Sequence, residues 1–227
     1  SGPSATNSLG KKFFESPIMP VPVGADGAIA AGAQATRRPL LVLRQTPHDT
    51  AEPRRGAIDA LMYGLSLGVT THLDQGPFQS TNTPNDGAAH EDNYSMNLPF
   101  LALHEEGKLR ARLRINFLHQ DATPELPTLR ERLRNSFPFF GDDMVRTGGI
   151  GEFIAGNPKA SPDAARLIAR ERWRAEVHSL SRTDFQQEIQ DYEAAHKESP
   201  ITDLRWVVAH VPFITEDWVN RLKAIGG

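Results

Sequence analysis

The chain has 227 residues, 39% of them hydrophobic and 23% charged, with a formal net charge of −3. That composition describes a soluble globular protein long enough to bury a core in one or two domains; it excludes the basic footprint of a nucleic-acid or anionic-membrane binder, and no apolar run approaches the roughly 20 residues that span a bilayer. There is no cysteine, which rules out disulfides and thiolate metal sites, leaves any metal to His, Asp, Glu or a modified Lys, and fits a reducing compartment, so a cytoplasmic location is expected.

The opening SGPSATNSLG has neither an initiating Met nor the apolar core of a signal peptide and reads as an internal start. Residues 1–56, crowded with proline and glycine, are expected to form an irregular N-terminal segment that covers or leads into a domain formed by residues 57–227. In AIDALMYGLSLG, Ile58, Leu61, Met62 and Leu65 have helical spacing and Gly68 is a natural stop. VTTHLD, 69–74, then reads as a strand rich in β-branched residues. The polar stretch 75–93 is longer than an ordinary strand-to-helix connection and is expected over the C-terminal ends of the strands, as a lid or a disordered, more mobile segment.

A helix around Met96–Glu106 follows, then an alternating strand at 109–118 and a helix marked by Leu126, Leu129 and Leu133. MVRTGGIGEFI, 144–154, is a strand interrupted by glycines, and SPDAARLIARER opens a helix with Ser161 as N-cap and Pro162 in the first turn. Residues 173–178 form the next strand. Its helix is expected to begin at TDFQ, with Thr183 and Gln186 as a capping box and Phe185, Ile189 and Tyr192 on one face. A strand at 204–211 and a capped helix in TEDWVNRLKAIGG complete the series.

Five strands, each followed by a helix, imply parallel strands joined by right-handed crossovers. An open doubly wound sheet and a (β/α) barrel both fit. No glycine-rich phosphate fingerprint follows the first strand, which weakens the nucleotide-binding version. The expected fold is α/β, a partial TIM-like (β/α) barrel of parallel strands with outer helices. It shows five of the eight strands of a full barrel, and its open edges are expected to be covered by residues 1–56 or by self-association into a homo-oligomer.

Chemistry concentrates at two strand ends. Arg174, Glu176 and His178 alternate with Trp173, Ala175 and Val177, so the charged set should face the barrel interior, with Arg174 paired to Glu176. Trp206, Val208 and His210 are expected to form the equivalent inward set on the next strand. Two inward histidines at neighbouring C-terminal tips lie within reach of one ion, and imidazole suits zinc. Satisfied hydrogen-bonding histidines are the plainer alternative. By the same alternation Thr70, His72 and Asp74 share a face, with Asp74 at the tip, and His119 and Gln120 end the next strand. His72, Asp74 and His119 are therefore expected either to line a substrate pocket or to fill a polar barrel interior. His48, His90, His104 and His196 are read as solvated, and the arginine-rich LRARLR and LRERLR as solvated or paired faces.

The segments GLSLGVTTHLDQG, GGIGEF, AEVHSLS with TDFQQEIQDYE, and RWVVAHVPFITEDWVNRLKAIG together resemble the amidohydrolase superfamily. They look most like the branch of metal-dependent hydrolases containing N-substituted formamide deformylase, over a span from about Asn7 to the C-terminus. The resemblance implies that the observed strands are barrel strands two to six, and that His178 and His210, ending strands five and six, are metal ligands. It implies a divalent metal, zinc by preference, and a small-molecule amide-type substrate hydrolysed at a C–N bond, with no nucleic-acid or membrane partner. The sequence departs from the family pattern in three places. The His-x-His pair of strand one is absent, the aspartate of strand eight would lie beyond Gly227, and no lysine stands on strand four, where Glu152 is the nearest substitute ligand. A metal-free barrel of the same family, with a binding or regulatory role, is the alternative. With two histidines and Glu152, these 227 residues are expected to bind metal weakly and to show no turnover by themselves.

Overall fold

A computed structural model of the chain describes residues 4–15, 21–30, 51–75, 97–118, 121–154 and 160–227, apart from the side chains of residues 4, 13, 51–53 and 152–154. The chain forms two compact units, residues 1–56 and 57–227. In the first, β1 (Ser4–Ala5) pairs antiparallel with β2 (Ala28–Ile29), and α1 (Ser8–Phe14) lies between them in sequence. Val21, Val23 and Ile29 form a small apolar cluster with Phe14 against it. Gly27 takes a left-handed φ of 82° at the turn before β2, where a Cβ would stand 2.2 Å from the Thr6 carbonyl oxygen.

α2 (Ala51–Ser66) leads into the second unit, which continues through β3 (Thr71–Asp74), α3 (Leu98–Glu105), β4 (Arg112–Leu118), α4 (Pro127–Asn135) and β5 (Val145–Ile154). It ends with α5 (Ser161–Arg170), β6 (Ala175–His178), α6 (Arg182–Glu198), β7 (Val207–Ala209) and α7 (Glu216–Ala224). β3 to β7 make one sheet in chain order, each strand hydrogen-bonded parallel to the next. A doubly wound sheet reverses strand order at a switch point. This order never reverses, and the five strands curl into a half-barrel with flanking helices, a partial TIM-like α/β barrel. Among the described residues no helix is long and apolar enough to cross a membrane.

The core lies between the sheet and the helices. Trp173, Ala175, Val177, Trp206 and Ile150 from the strands pack with Ala164, Leu167 and Ile168 of α5, Tyr192 and Ala195 of α6, and Leu129 of α4. A second cluster joins Ala57 and Leu61 of α2 to Leu103, Leu109 and Ala111. Ile58 and Met62, expected on the packed face of α2, are 41% and 52% exposed. The buried stripe runs instead through Ala57, Leu61 and Gly64, because Gly64 lets the helix close onto His72: a Cβ there would stand 2.9 Å from His72 Cε1.

The opposite, concave face is polar. Glycines on β5 make room for it: a Cβ on Gly148 would lie 2.4 Å from Asn116 Oδ1, and one on Gly151 would lie 2.4 Å from Gln75 Oε1. Asn116 Nδ2 donates to Gln75 Oε1 at 2.9 Å, and Gln75 Nε2 donates to Glu176 Oε1.

Two helix caps differ from expectation. α6 is capped by Ser181 and Asp184, each side chain accepting from the other's backbone N–H, two residues earlier than the Thr183–Gln186 pair. Both pairs share the spacing of a capping box; the chain turns where β6 ends. In α5 the N-cap position falls on Ala160, with no side-chain cap, and the Ser161 hydroxyl instead donates 2.7 Å to Asp191 Oδ2 of α6.

Candidate metal centre

β6 points as its alternation requires. Trp173, Ala175 and Val177 are buried toward the helices, while Glu176 and His178 turn to the concave face. The expected Arg174–Glu176 ion pair is present at 3.8 Å. Burial holds the Glu176 carboxyl above its ordinary range, opposed by Arg174, Gln75 and Asn116.

β7 does not follow the expected pattern. Residues in register on parallel strands point the same way, and the register pairs Glu176 with Val207, Val177 with Val208, and His178 with Ala209. Val208 therefore shares the helix side with Val177. Trp206 lies there too, its Nε1 donating 2.9 Å to the Trp173 carbonyl and its ring edge-on to Tyr192 at 4.6 Å. Trp206 and Val208 are not an inward set with His210. His210 still reaches His178, because its backbone is left-handed, with φ 70°, followed by Val211 at φ 25°. That turn takes His210 out of strand alternation. Left-handed conformations cost a non-glycine residue roughly 1–2 kcal/mol and concentrate at functional sites.

The result is one close contact. His210 Nε2 and His178 Nδ1 stand 3.2 Å apart, with the rings edge-to-face and their centroids 4.5 Å apart at 87°. In a tetrahedral zinc site with Zn–N bonds of about 2.0–2.1 Å, two ligand nitrogens are separated by about 3.3 Å. The donor set and its spacing fit a divalent metal. Burial, and then the neighbouring His210, lower the His178 pKa, which favours the neutral imidazole a metal requires. The mouth beside them is apolar: Leu180, Phe213 and Ile214 are exposed on the loops after β6 and β7, with the Arg182 guanidinium 5.5 Å from the Phe213 ring.

The other sequence candidates are dispersed. His72 is in register with the buried Leu113 and faces Gly64 of α2, so it lies in the helix layer, not in a pocket with the histidine pair. Asp74 Oδ2, at the tip of β3, accepts from Asn97 Nδ2 at 2.6 Å. Glu152 falls where the β5–β6 register shifts, between Gly151 and Phe153, and its side chain lies outside the described residues. His119 and the stretch 76–93 also lie outside them, as do His48 and His90. Two histidines read as solvated are half-buried and bonded. His104 Nε2 meets Asp142 Oδ2 at 2.8 Å, and His196 Nδ1 accepts from the Ile201 amide at 3.2 Å. Among the described residues no group of three or more His, Asp or Glu side chains converges as a metal site. Sequence reasoning missed Gln75 and Asn116, which complete the polar floor with Glu176, and the buried Glu188 behind the strand tips.

Over 98% of its length this chain superimposes on an uncharacterized metal-dependent hydrolase from Pyrococcus furiosus, at 14% identity and a TM-score of 0.55, covering 46% of that protein. A counterpart from Pyrococcus horikoshii OT3, also an uncharacterized metal-dependent hydrolase, matches 99% of the chain at 12% identity and a TM-score of 0.55, with 45% of that protein covered. The likeness is one of fold. The chain spans less than half the length of either protein. No family model and no curated protein sequence matches it.

Proposed function

We propose that His178 and His210 are two ligands of a divalent metal, zinc by donor preference, in a hydrolase of amide or related C–N bonds acting on a small molecule. The observation that carries this reading is the 3.2 Å approach of Nδ1 and Nε2 at the C-terminal tips of adjacent parallel strands, where barrel enzymes keep their chemistry. The metal-dependent hydrolases that share the fold support it. When bound, such a metal lowers the pKa of its water and polarises the substrate carbonyl.

The chain's own residues have separate tasks. His178, held neutral, and His210, turned toward it by its left-handed backbone, bring Nδ1 and Nε2 within 3.2 Å, where a metal would take the place of the proton between them. Glu176, Gln75 and Asn116 brace the concave face beneath it. Leu180 and Phe213, exposed on the loops after β6 and β7, offer apolar surface to a substituent of the substrate. Glu152 is proposed as a further ligand, and Asp74 and His119 as residues that meet the substrate.

Zinc titration followed by calorimetry tests the centre. One weak zinc should bind per chain, because a catalytic zinc takes about three protein ligands, and either His178→Ala or His210→Ala should abolish that binding. In the protein assayed at its natural length, both variants should abolish hydrolysis of N-formyl and N-acyl amines. Zinc binding indifferent to both substitutions would sink the proposal, and hydrolysis of esters without amides would remove its C–N part.

A further inference from the structure

Behind the two strand tips, α6 holds polar side chains where a packed helix ordinarily holds apolar ones. Glu188 and Tyr192, one helical turn apart, are each 2% exposed. The Ser179 hydroxyl, on the residue after His178, donates to Glu188 Oε2. The Tyr192 hydroxyl donates 3.0 Å to the carbonyl of Val207, the first residue of β7, three residues before His210. Two buried polar contacts from adjacent turns of α6 thus hold the end of β6 and the start of β7, while Glu188 Oε1 has no hydrogen-bond partner in this structure.

We propose that Glu188 is a positioning residue, whose carboxyl holds the end of β6 to α6, the helix that through Tyr192 also holds the start of β7, and so sets the meeting of His178 and His210. The inference rests on reading those histidines as the functional site.

The charge on Glu188 gives the device its working form: the carboxyl, buried and accepting from Ser179, sits behind the strands at least cost as a neutral acid. Burial raises the Glu188 pKa to about 8, and the charges acting on it, Asp191 and Asp184 of its own helix, are negative. The groups from other elements act one step removed: Ser161, Asp163 and Arg166 of α5 bear on Asp191, and Glu176 of β6 bears on Tyr192. Once ionised, Glu188 becomes a buried anion whose charged neighbours on α6 are both negative and whose Oε1 has no hydrogen-bond partner in this structure. The clamp should then loosen.

The test is nuclear magnetic resonance of histidine-labelled protein without metal, from pH 6 to 9.5, reading the ring-to-ring contact of His178 and His210. In the wild type the contact should hold at neutral pH and be lost in a transition centred near pH 8, apart from the titration of His178 itself, which lies lower. Glu188→Gln, whose amide oxygen can accept from Ser179 and whose side chain carries no charge to ionise, should keep the contact to pH 9.5. Glu188→Val should lose it at every pH, and the milder Ser179→Ala should weaken it with the fold intact by circular dichroism. A wild-type contact unchanged through pH 8, a Gln variant that keeps the transition, or a Ser179→Ala variant with an undiminished contact would each overturn the inference. No metal enters these readouts. A transition in a protein that fails to bind zinc would remove the metal reading alone, and zinc binding with no transition would remove the clamp alone.

Discussion

Trp206 offers the clearest measure of what holds β7 to the sheet. β7 is three residues long, and below its first rung the indole supplies a further cross-strand bond, from Nε1 to the Trp173 carbonyl at 2.9 Å. Trp206→Phe keeps an aromatic ring against Tyr192 and removes that bond. Leaving a buried carbonyl unpaired costs about 1–3 kcal/mol. The lost part of the indole, 1% exposed in this protein, adds on the order of 1 kcal/mol at roughly 0.8 kcal/mol per methylene equivalent. The sum is about 3 kcal/mol. For a chain of this size each kcal/mol lowers Tm by roughly 2–4 °C, so the variant should melt roughly 6–12 °C below wild type. Urea denaturation followed by circular dichroism should give the same destabilisation with an unchanged m-value. A loss below about 1 kcal/mol would show that the indole bond is not a rung of the sheet, and that β7 is held by its short ladder alone.

Three further outcomes are expected. Because the folded Glu188 pKa, about 8, lies above its ordinary value of 4.5, the folded state binds the extra proton; stability is greatest below the ordinary carboxylate range, falls as pH rises toward 8 and levels above it. Urea titrations at pH 5, 7 and 9 should show this slope in the wild type and a flatter one in Glu188→Gln. Gly151→Ala would place a Cβ 2.4 Å from Gln75 Oε1 and 2.8 Å from Asn116 Nδ2, and should cost about 1–3 kcal/mol in thermal denaturation by overpacking the concave face. His210→Gly relieves a left-handed φ of 70° and should leave stability unchanged or raise it by up to about 1 kcal/mol, while zinc binding, read by calorimetry, disappears.

The sequence carried the alternation of strands and helices and the direction of every side chain on β6, because a strand with one apolar face and one charged face, Trp173–Ala175–Val177 against Arg174–Glu176–His178, admits a single orientation in a half-buried sheet. On β7 the pattern is silent. Trp206, Val207, Val208 and Ala209 are apolar on both faces, so either parity reads well, and the one that fits the register places Trp206 and Val208 outward. The meeting of the histidines could be anticipated, but not its route through a left-handed backbone at a residue that is not glycine. Glu188 was hidden for a related reason. It lies one position before Ile189 and one turn before Tyr192, and a helical pattern assigns a charged residue to solvent unless a partner such as Ser179 draws it inward.

The turn at the end of β7 separates the identity of a side chain from the direction in which it is delivered. At position 178 direction comes from counting along the strand, so inserting or deleting a residue upstream would flip the side chain to the other face. At position 210 the torsion at the residue itself does the aiming, and asparagine, aspartate or glycine could adopt it at less cost than most residues. The two halves of the proposed centre should therefore drift differently over time. Position 178 should tolerate changes of chemistry only within a fixed strand length, whereas position 210 can exchange one donor for another while its backbone keeps the aim.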